Sequence, residues 1–179
     1  MGTKIPASAD SDPSAQQAVE TLLRTARSSG VTLCVAESCT GGLLAALVTE
    51  APGASQVFQG GVVAYSNRLK IDVLGVDQTL LSTHGSVSPE VAKAMALGSL
   101  CLCTADVALS ITGIAGPTGG LPDKPVGLVW YGIAIRTSDA IDTFTESRHF
   151  DGDRVSVRHA AALHGLRLLQ DAVAPCEGT

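Results

Sequence analysis

Between residues 32 and 48 an apolar run gives way, within six residues, to a helical pattern. Leu33-Cys34-Val35-Ala36 has the continuous apolarity of a buried strand. Glu37-Ser38-Cys39-Thr40-Gly41-Gly42 follows, and a helix is predicted directly after it, from about residue 41 to residue 50. A strand that breaks at a glycine pair into a helix has few ways to fold. The chain must turn sharply, which aims backbone N–H groups and the positive end of the helix dipole at whatever lies above Ser38. A hydroxyl among such donors is what acyl transfer needs. The competing reading is an ordinary helix cap, a role that Ser and Thr fill well. Cys39 shares the position, and the nearby helix N-terminus is expected to lower its thiol pKa.

The flanking segments define the architecture. Asp12-Pro13 starts a helix with an acid at the cap and proline at the first helical position. Val19, Leu22, Leu23 and Ala26 then recur at helical spacing, and Gly30 closes the element. A strand is predicted over 57–65, its Gly60-Gly61 pair marking a bulge or a close backbone approach. A short helix follows over 67–74. Ser88-Pro89-Glu90 opens a helix reaching Cys103, with Val91, Met95, Gly98 and Leu102 on one face. A short apolar strand covers 107–111, and strands over 126–135 and about 141–150 form a hairpin across a polar turn at 136–140. Asp151-Gly152-Asp153 caps a last helix, with Val155, Ala162, Leu166, Leu169 and Val173 inward and Pro175 at its end. Helices interleaved with strands need crossover connections. The predicted class is therefore α/β, a three-layer α/β/α fold with a mixed, mostly parallel sheet of about five strands. A single domain is expected over 13–174, with tails at 1–12 and 175–179.

Bulk properties remove several function classes. With 45% apolar and 16% charged residues the chain is globular, and its six aromatic residues leave a core of Ala, Val, Leu and Ile. A net charge of −5 argues against a nucleic-acid surface. No stretch approaches the roughly 20 apolar residues of a membrane span, and the N-terminus lacks the order of a secretory signal. A cytoplasmic location is expected. Five cysteines, an odd number without paired metal-ligand spacing, read as free thiols. His84, His149, His159 and His164 show no zinc spacing either, so no metal is expected.

Ligands of such sheets bind beyond the carboxyl ends of the parallel strands. Three of these ends carry chemistry: residues 37–42, residues 65–70 and the loop 112–120. The last holds four glycines and a proline and is suited to cradling a phosphate with backbone amides. It matches neither a P-loop nor a dinucleotide fingerprint, and the plain alternative is a surface turn. Lys70 lies three residues after Asn67, away from the Leu69/Val73 face of its helix, so it can face the cleft. To serve as a base it must titrate near 7 instead of roughly 10.4, which penalises its charged form by about 4 kcal/mol. Burial is one source of that penalty; the alternative is a solvated surface lysine. Arg154 and Arg158, one helical turn apart, form either a phosphate fork or pairs with Asp151 and Asp153.

Six segments, in this order, resemble the CinA C-terminal family, whose members act as nicotinamide-nucleotide amidases. They are Ala36-Glu37-Ser38-Cys39-Thr40-Gly41-Gly42; Tyr65-Ser66-Asn67 with Lys70; Gly85-Ser86-Val87-Ser88 with Glu90-Val91-Ala92; Thr112-Gly113-Ile114-Ala115-Gly116-Pro117 with Gly119-Gly120; Lys124-Pro125-Val126-Gly127; and Gly152-Asp153-Arg154 with Val157-Arg158. The likeness runs from about residue 14 to residue 172. It implies the three-layer fold and hydrolysis of nicotinamide mononucleotide to nicotinate mononucleotide and ammonia, without metal or organic cofactor. Combined with the residue reading, it assigns Ser38 as nucleophile, Lys70 as general base and Tyr65 as a proton relay. An alternative within the class makes Lys70 a charged substrate contact, with Tyr65 or activated water in its place. Backbone donors around Thr40, Gly41 and Gly42 would hold the oxyanion. Asn67 would contact substrate, and Thr112, Gly113, Gly116, Gly119 and Arg154 would hold the nucleotide and its phosphate. Some relatives carry a further N-terminal domain, for which this chain has no room. Alanine-rich helix faces suggest a homo-oligomer. The rival from another class is a non-catalytic nucleotide sensor or partner-binding module using the same cleft.

Overall fold

The computed structural model describes residues 13–174. The Asp12 cap, Pro175, Cys176 and both predicted tails lie outside the described residues. In chain order the elements are α1 (Pro13–Ser29), β1 (Leu33–Glu37), α2 (Leu43–Glu50), β2 (Phe58–Val63), α3 (Asn67–Asp72), α4 (Gln78–His84), α5 (Pro89–Cys103), β3 (Val107–Gly113), β4 (Leu128–Arg136), β5 (Ile141–His149) and α6 (Arg154–Val173). The five strands form one sheet in the order β2-β1-β3-β4-β5. β1 pairs parallel with both β2 and β3, whereas β4 runs antiparallel to β3 and to β5. One strand thus runs against four, as the hairpin implied. The carboxyl ends of β1, β2, β3 and β5 consequently share one edge.

Alternation along the strands sorts residues by size. Leu33 and Val35 of β1, Val107, Leu109 and Ile111 of β3, and Val129 and Tyr131 of β4 share a core cluster with α1, α2 and α6. The opposite face presents Cys34, Ala36, Ala108, Ser110, Gly132 and Ala134. Small side chains there let the backbone of α5 lie almost on the sheet. The Ser110 hydroxyl donates to the Ala92 carbonyl at 2.6 Å, and a Cβ at Gly132 would collide with that same carbonyl. Helix α5 in turn meets the turn after α3, where Gly98 packs on the Leu74 carbonyl.

Local signals explain most boundaries. Ser88 Oγ accepts the Val91 N–H with Pro89 at the first position of α5, and Asp153 caps α6 by accepting the Ser156 N–H. The glycine pair in β2 does both things foreseen for it. The β1/β2 register shifts between Leu33 and Cys34, opposite Phe58 and Gly60. A Cβ on Gly61 would meet Ala45 and Val35 at 3.0 Å. Helix α4 was not foreseen; seven residues are too few for periodicity to mark, and its cap, Asp77, accepts from Thr79 N–H. Two core expectations fail. Leu102 is 54% exposed, because the α3–α4 residues that bury Val91 and Met95 do not extend to the end of α5. Val155 is 60% exposed, because the first turn of α6 overhangs the carboxyl edge of the sheet and burial begins at Val157. Among the described residues no helix is long and apolar enough to cross a membrane.

Gly98→Ala is expected to cost about 1–3 kcal/mol, since the obstacle is a backbone carbonyl that no rotamer change can move. Thermal unfolding should show a fall in Tm of several degrees; an unchanged Tm would contradict this α5 contact.

Candidate active site

The turn after β1 is organised by Glu37. Its side chain is 1% exposed, and its carboxylate accepts from the N–H groups of Gly42 (2.9 Å), Leu44 (3.2 Å) and Ala45 (2.8 Å). A buried carboxylate therefore occupies the N-terminus of α2, where donors and helix dipole favour an anion. The Gly41 N–H is also committed, to the Ser38 carbonyl at 3.1 Å. Gly41 and Gly42 adopt φ of +64° and +96°, which is why glycine stands at both. Thr40 is fully buried, its carbonyl accepting from Arg158 Nη2 at 2.8 Å, and its Oγ1 has no partner among the described residues.

This arrangement corrects two expectations. The N–H groups of Gly41 and Gly42 hold the turn together and are not free to receive an oxyanion. The Cys39 thiol is not activated: burial, with the Glu37 charge adding to it, pushes its pKa up to about 12 against local backbone N–H groups. It stays a neutral thiol beside Ser38.

Lys70 reaches Ser38 from α3. Its Nζ donates to Ser38 Oγ at 3.0 Å, to the Ala64 carbonyl at 2.9 Å and to the Tyr65 carbonyl at 3.5 Å. The side chain is 1% exposed and Ser38 8%. Burial lowers the Lys70 pKa from 10.5 to about 8, while proximity to Cys39 works weakly the other way. The deprotonated amine is thus well populated just above neutrality. Two carbonyls take two of its N–H bonds, which leaves the nitrogen lone pair for the Ser38 proton.

Ser38 and Lys70 open into a cavity of about 260 Å³ that Tyr65, Thr112 and Arg154 also line. The Tyr65 phenol is not among the hydrogen-bond partners of the amine. It accepts from Arg154 Nη2 at 2.7 Å, while Arg154 Nη1 donates to the Gly116 carbonyl at 2.8 Å. The Arg154 side chain therefore braces the glycine loop against Tyr65. Gly113, Gly116 and Gly119 line the cavity. Among the described residues no acceptor meets the N–H groups of Ala115, Gly116, Thr118 or Gly119, and all four residues line the cavity with Arg154. Gly116 has φ +76°, and a Cβ there would lie 2.6 Å from Val126.

Ser38, Lys70, Tyr65, Thr112, the three glycines and Arg154 therefore converge, whereas Thr40, Gly41, Gly42 and Asn67 do not line the cavity. Asn67 is exposed at the start of α3. Arg158 is no phosphate fork partner; it donates to the Cys39 and Thr40 carbonyls and clamps the turn. Sequence reasoning missed Ser86 as a wall of the site. Thr112 Oγ1 donates to its carbonyl at 2.7 Å, which fastens the loop between α4 and α5 against the cavity. The segment Gly85-Ser86-Val87-Ser88 carried part of the family likeness, the one signal available. Among the described residues no group of three or more His, Cys, Asp or Glu could hold a metal ion.

A family model, CinA C-terminal domain, matches residues 15–173. A putative competence-damage inducible protein of Symbiobacterium thermophilum is 47% identical over 146 residues, 79% of this chain and 34% of the relative. A CinA-like protein of Acidobacterium capsulatum is 48% identical over 141 residues, 79% of this chain and 33% of the relative. The chain thus spans about a third of the length of these relatives. Among solved structures, the competence/damage inducible protein CihA of Agrobacterium tumefaciens superposes with a TM-score of 0.84 at 35% identity, covering 92% of this chain and 99% of that one. The competence damage-inducible protein A of Klebsiella pneumoniae gives 0.85 at 32% identity, covering 91% and 99%.

The lowered lysine pKa has a consequence for stability. Below pH 8 folded and unfolded chains both hold the Lys70 proton, and the full cost of burying the charge, roughly 3 kcal/mol, is present. Between about 8 and 10.5 the unfolded chain keeps a proton that the folded chain has released, so stability of the native residue rises with pH. The Tm of Lys70→Met relative to the unmodified protein should therefore be most favourable near pH 7 and decline steadily toward pH 10. A difference that stays constant over that range would show that Lys70 is not buried as described.

Proposed function

The chain belongs to the CinA C-terminal domain family, and from that membership and the geometry of its cleft we propose that it is an amidohydrolase converting nicotinamide mononucleotide to nicotinate mononucleotide and ammonia. The observation that carries this reading is the 3.0 Å contact between Lys70 Nζ and Ser38 Oγ in a buried pocket. A nucleotide binder has no need of a hydroxyl paired with an amine of depressed pKa.

In this mechanism Ser38 Oγ attacks the carboxamide carbon as its proton passes to neutral Lys70. The oxyanion falls to the backbone N–H of Cys39, the residue after the nucleophile, because Gly41 and Gly42 are already committed. Protonated Lys70 returns the proton to the nitrogen, and the C–N bond breaks to release ammonia. Tyr65 is assigned no part in this transfer, because Lys70 bonds to its backbone carbonyl and not to its phenol, which accepts from Arg154. Water then attacks the acyl-enzyme carbon and gives its proton to Lys70, which frees nicotinate mononucleotide and restores the Ser38 hydroxyl. The 5′-phosphate lies against the N–H rim of the glycine loop and the spare donors of Arg154. No acidic side chain lines the pocket to oppose it.

Purified, chelator-treated protein should release ammonia from nicotinamide mononucleotide. Ser38→Ala should abolish release while binding the nucleotide with nearly unchanged Kd; near-normal turnover by that variant rejects the covalent route. Measurable binding by the unmodified protein without any ammonia would instead favour a nucleotide sensor. The rate should rise with pH through a group near 8, and a flat profile from pH 6 to 9 would remove Lys70 as base. Arg154→Ala should raise KM about 10- to 100-fold with a smaller change in kcat, the loss of one or two charge-assisted bonds.

A further inference from the structure

We propose that the cleft has a second subsite, across Arg154 from the catalytic pocket, that binds a ring-bearing nucleoside joined through the substrate's phosphate, so that pyridine dinucleotides bind here as well as the mononucleotide. The inference rests on the amidase reading for the placement of the phosphate, and adds a site which that reading does not use.

A cavity of about 440 Å³ adjoins the catalytic pocket and shares Ala115 and Arg154 with it. Alone, the 260 Å³ pocket is smaller than the roughly 300–1,000 Å³ usual for small-molecule sites; together the two fall within that range. Their chemistry differs. The first is lined by Ser38, Lys70 and Thr112, whereas Pro117, Val126 and Val155 make the second mainly apolar. Val155 is the residue that helical spacing places inward yet is 60% exposed, since no protein element covers it. An apolar side chain left bare at the rim of a cleft suits the face of a flat ring.

The border between the pockets is a phosphate-binding group. A guanidinium carries five N–H donors, and Arg154 uses Nη1 on the Gly116 carbonyl and Nη2 on Tyr65. The remaining donors can serve oxygens arriving from either side. Asp153, exposed and held ionised by Ser156, stands on the second cavity's rim with Oδ1 accepting the Ser156 N–H and hydroxyl. A carboxylate has about four lone-pair positions, so acceptors remain for sugar hydroxyls. Its charge discourages bare phosphate on that side. The order along the cleft is then amide at Ser38, phosphates at Arg154, sugar at Asp153 and ring on Val155.

The test uses Ser38→Ala protein, to prevent turnover, and isothermal titration with nicotinamide mononucleotide and with NAD⁺. NAD⁺ is expected to bind at least as tightly as the mononucleotide. Val155→Asn, an exposed substitution checked for folding by circular dichroism, should weaken NAD⁺ about fivefold or more and change the mononucleotide less than about twofold. Mononucleotide binding without NAD⁺ binding, or an affinity ratio that Val155→Asn leaves unchanged, overturns the subsite alone. Failure of the mononucleotide itself to bind would overturn the parent reading and the subsite with it.

Discussion

The carboxylate of Glu37, sealed under the first turn of α2, is the interaction on which the rest of this cleft depends. Removing such a charge from water is costly, and three backbone N–H bonds together with the helix dipole offset it. Bonds to a charged acceptor contribute about 1.5–3 kcal/mol each, and three of them hold this turn. Ser38 takes its position from that turn. The same bonds consume the donors and the dipole that would otherwise activate a nucleophile directly. Activation then falls to a group from elsewhere in the chain, and among the described residues Lys70 is the only cation buried beside the hydroxyl.

Lys70 can play that part because the sheet is asymmetric. Bulky residues fill the face toward α1, α2 and α6, while alanine, serine and glycine on the other face bring α5 into backbone contact. Close seating of α5 draws in the α3 turn, with Leu74, Val76 and Leu81 packed against Val91 and Met95. Helix α3 is short, but its position relative to β1 is set by that packing. Thr112 then ties the far wall to the near one through the Ser86 carbonyl.

The relatives named above share this frame, and their names speak of competence and damage without naming a reaction. The chemistry must therefore be argued from the cleft. Four parallel strands end at one edge, and each contributes something different there: the Ser38 turn after β1, Lys70 after β2, the glycine loop after β3 and Arg154 after β5. A mixed sheet whose odd strand is β4 gives this convergence automatically, because only β4 points its carboxyl end away.

Periodicity, capping residues and glycine pairs determined the element order apart from α4, the mixed sheet and the three loaded loops, because those signals act over a few neighbouring residues. They also placed Ser38, Lys70, the glycine loop and Arg154 on the correct edge. What each group bonds to was decided only by the fold. Gly41 and Gly42 spend their N–H groups on Ser38 and Glu37, Thr40 gives its carbonyl to Arg158, and the Tyr65 hydroxyl turns to Arg154 instead of Lys70. Cys39 is silenced by burial and by an acid two residues away. Leu102 and Val155 remain bare because the elements that would cover them stop short. Hydrogen bonds and desolvation depend on distant partners, 119 residues apart for Cys39 and Arg158, and local pattern carries no record of such partners.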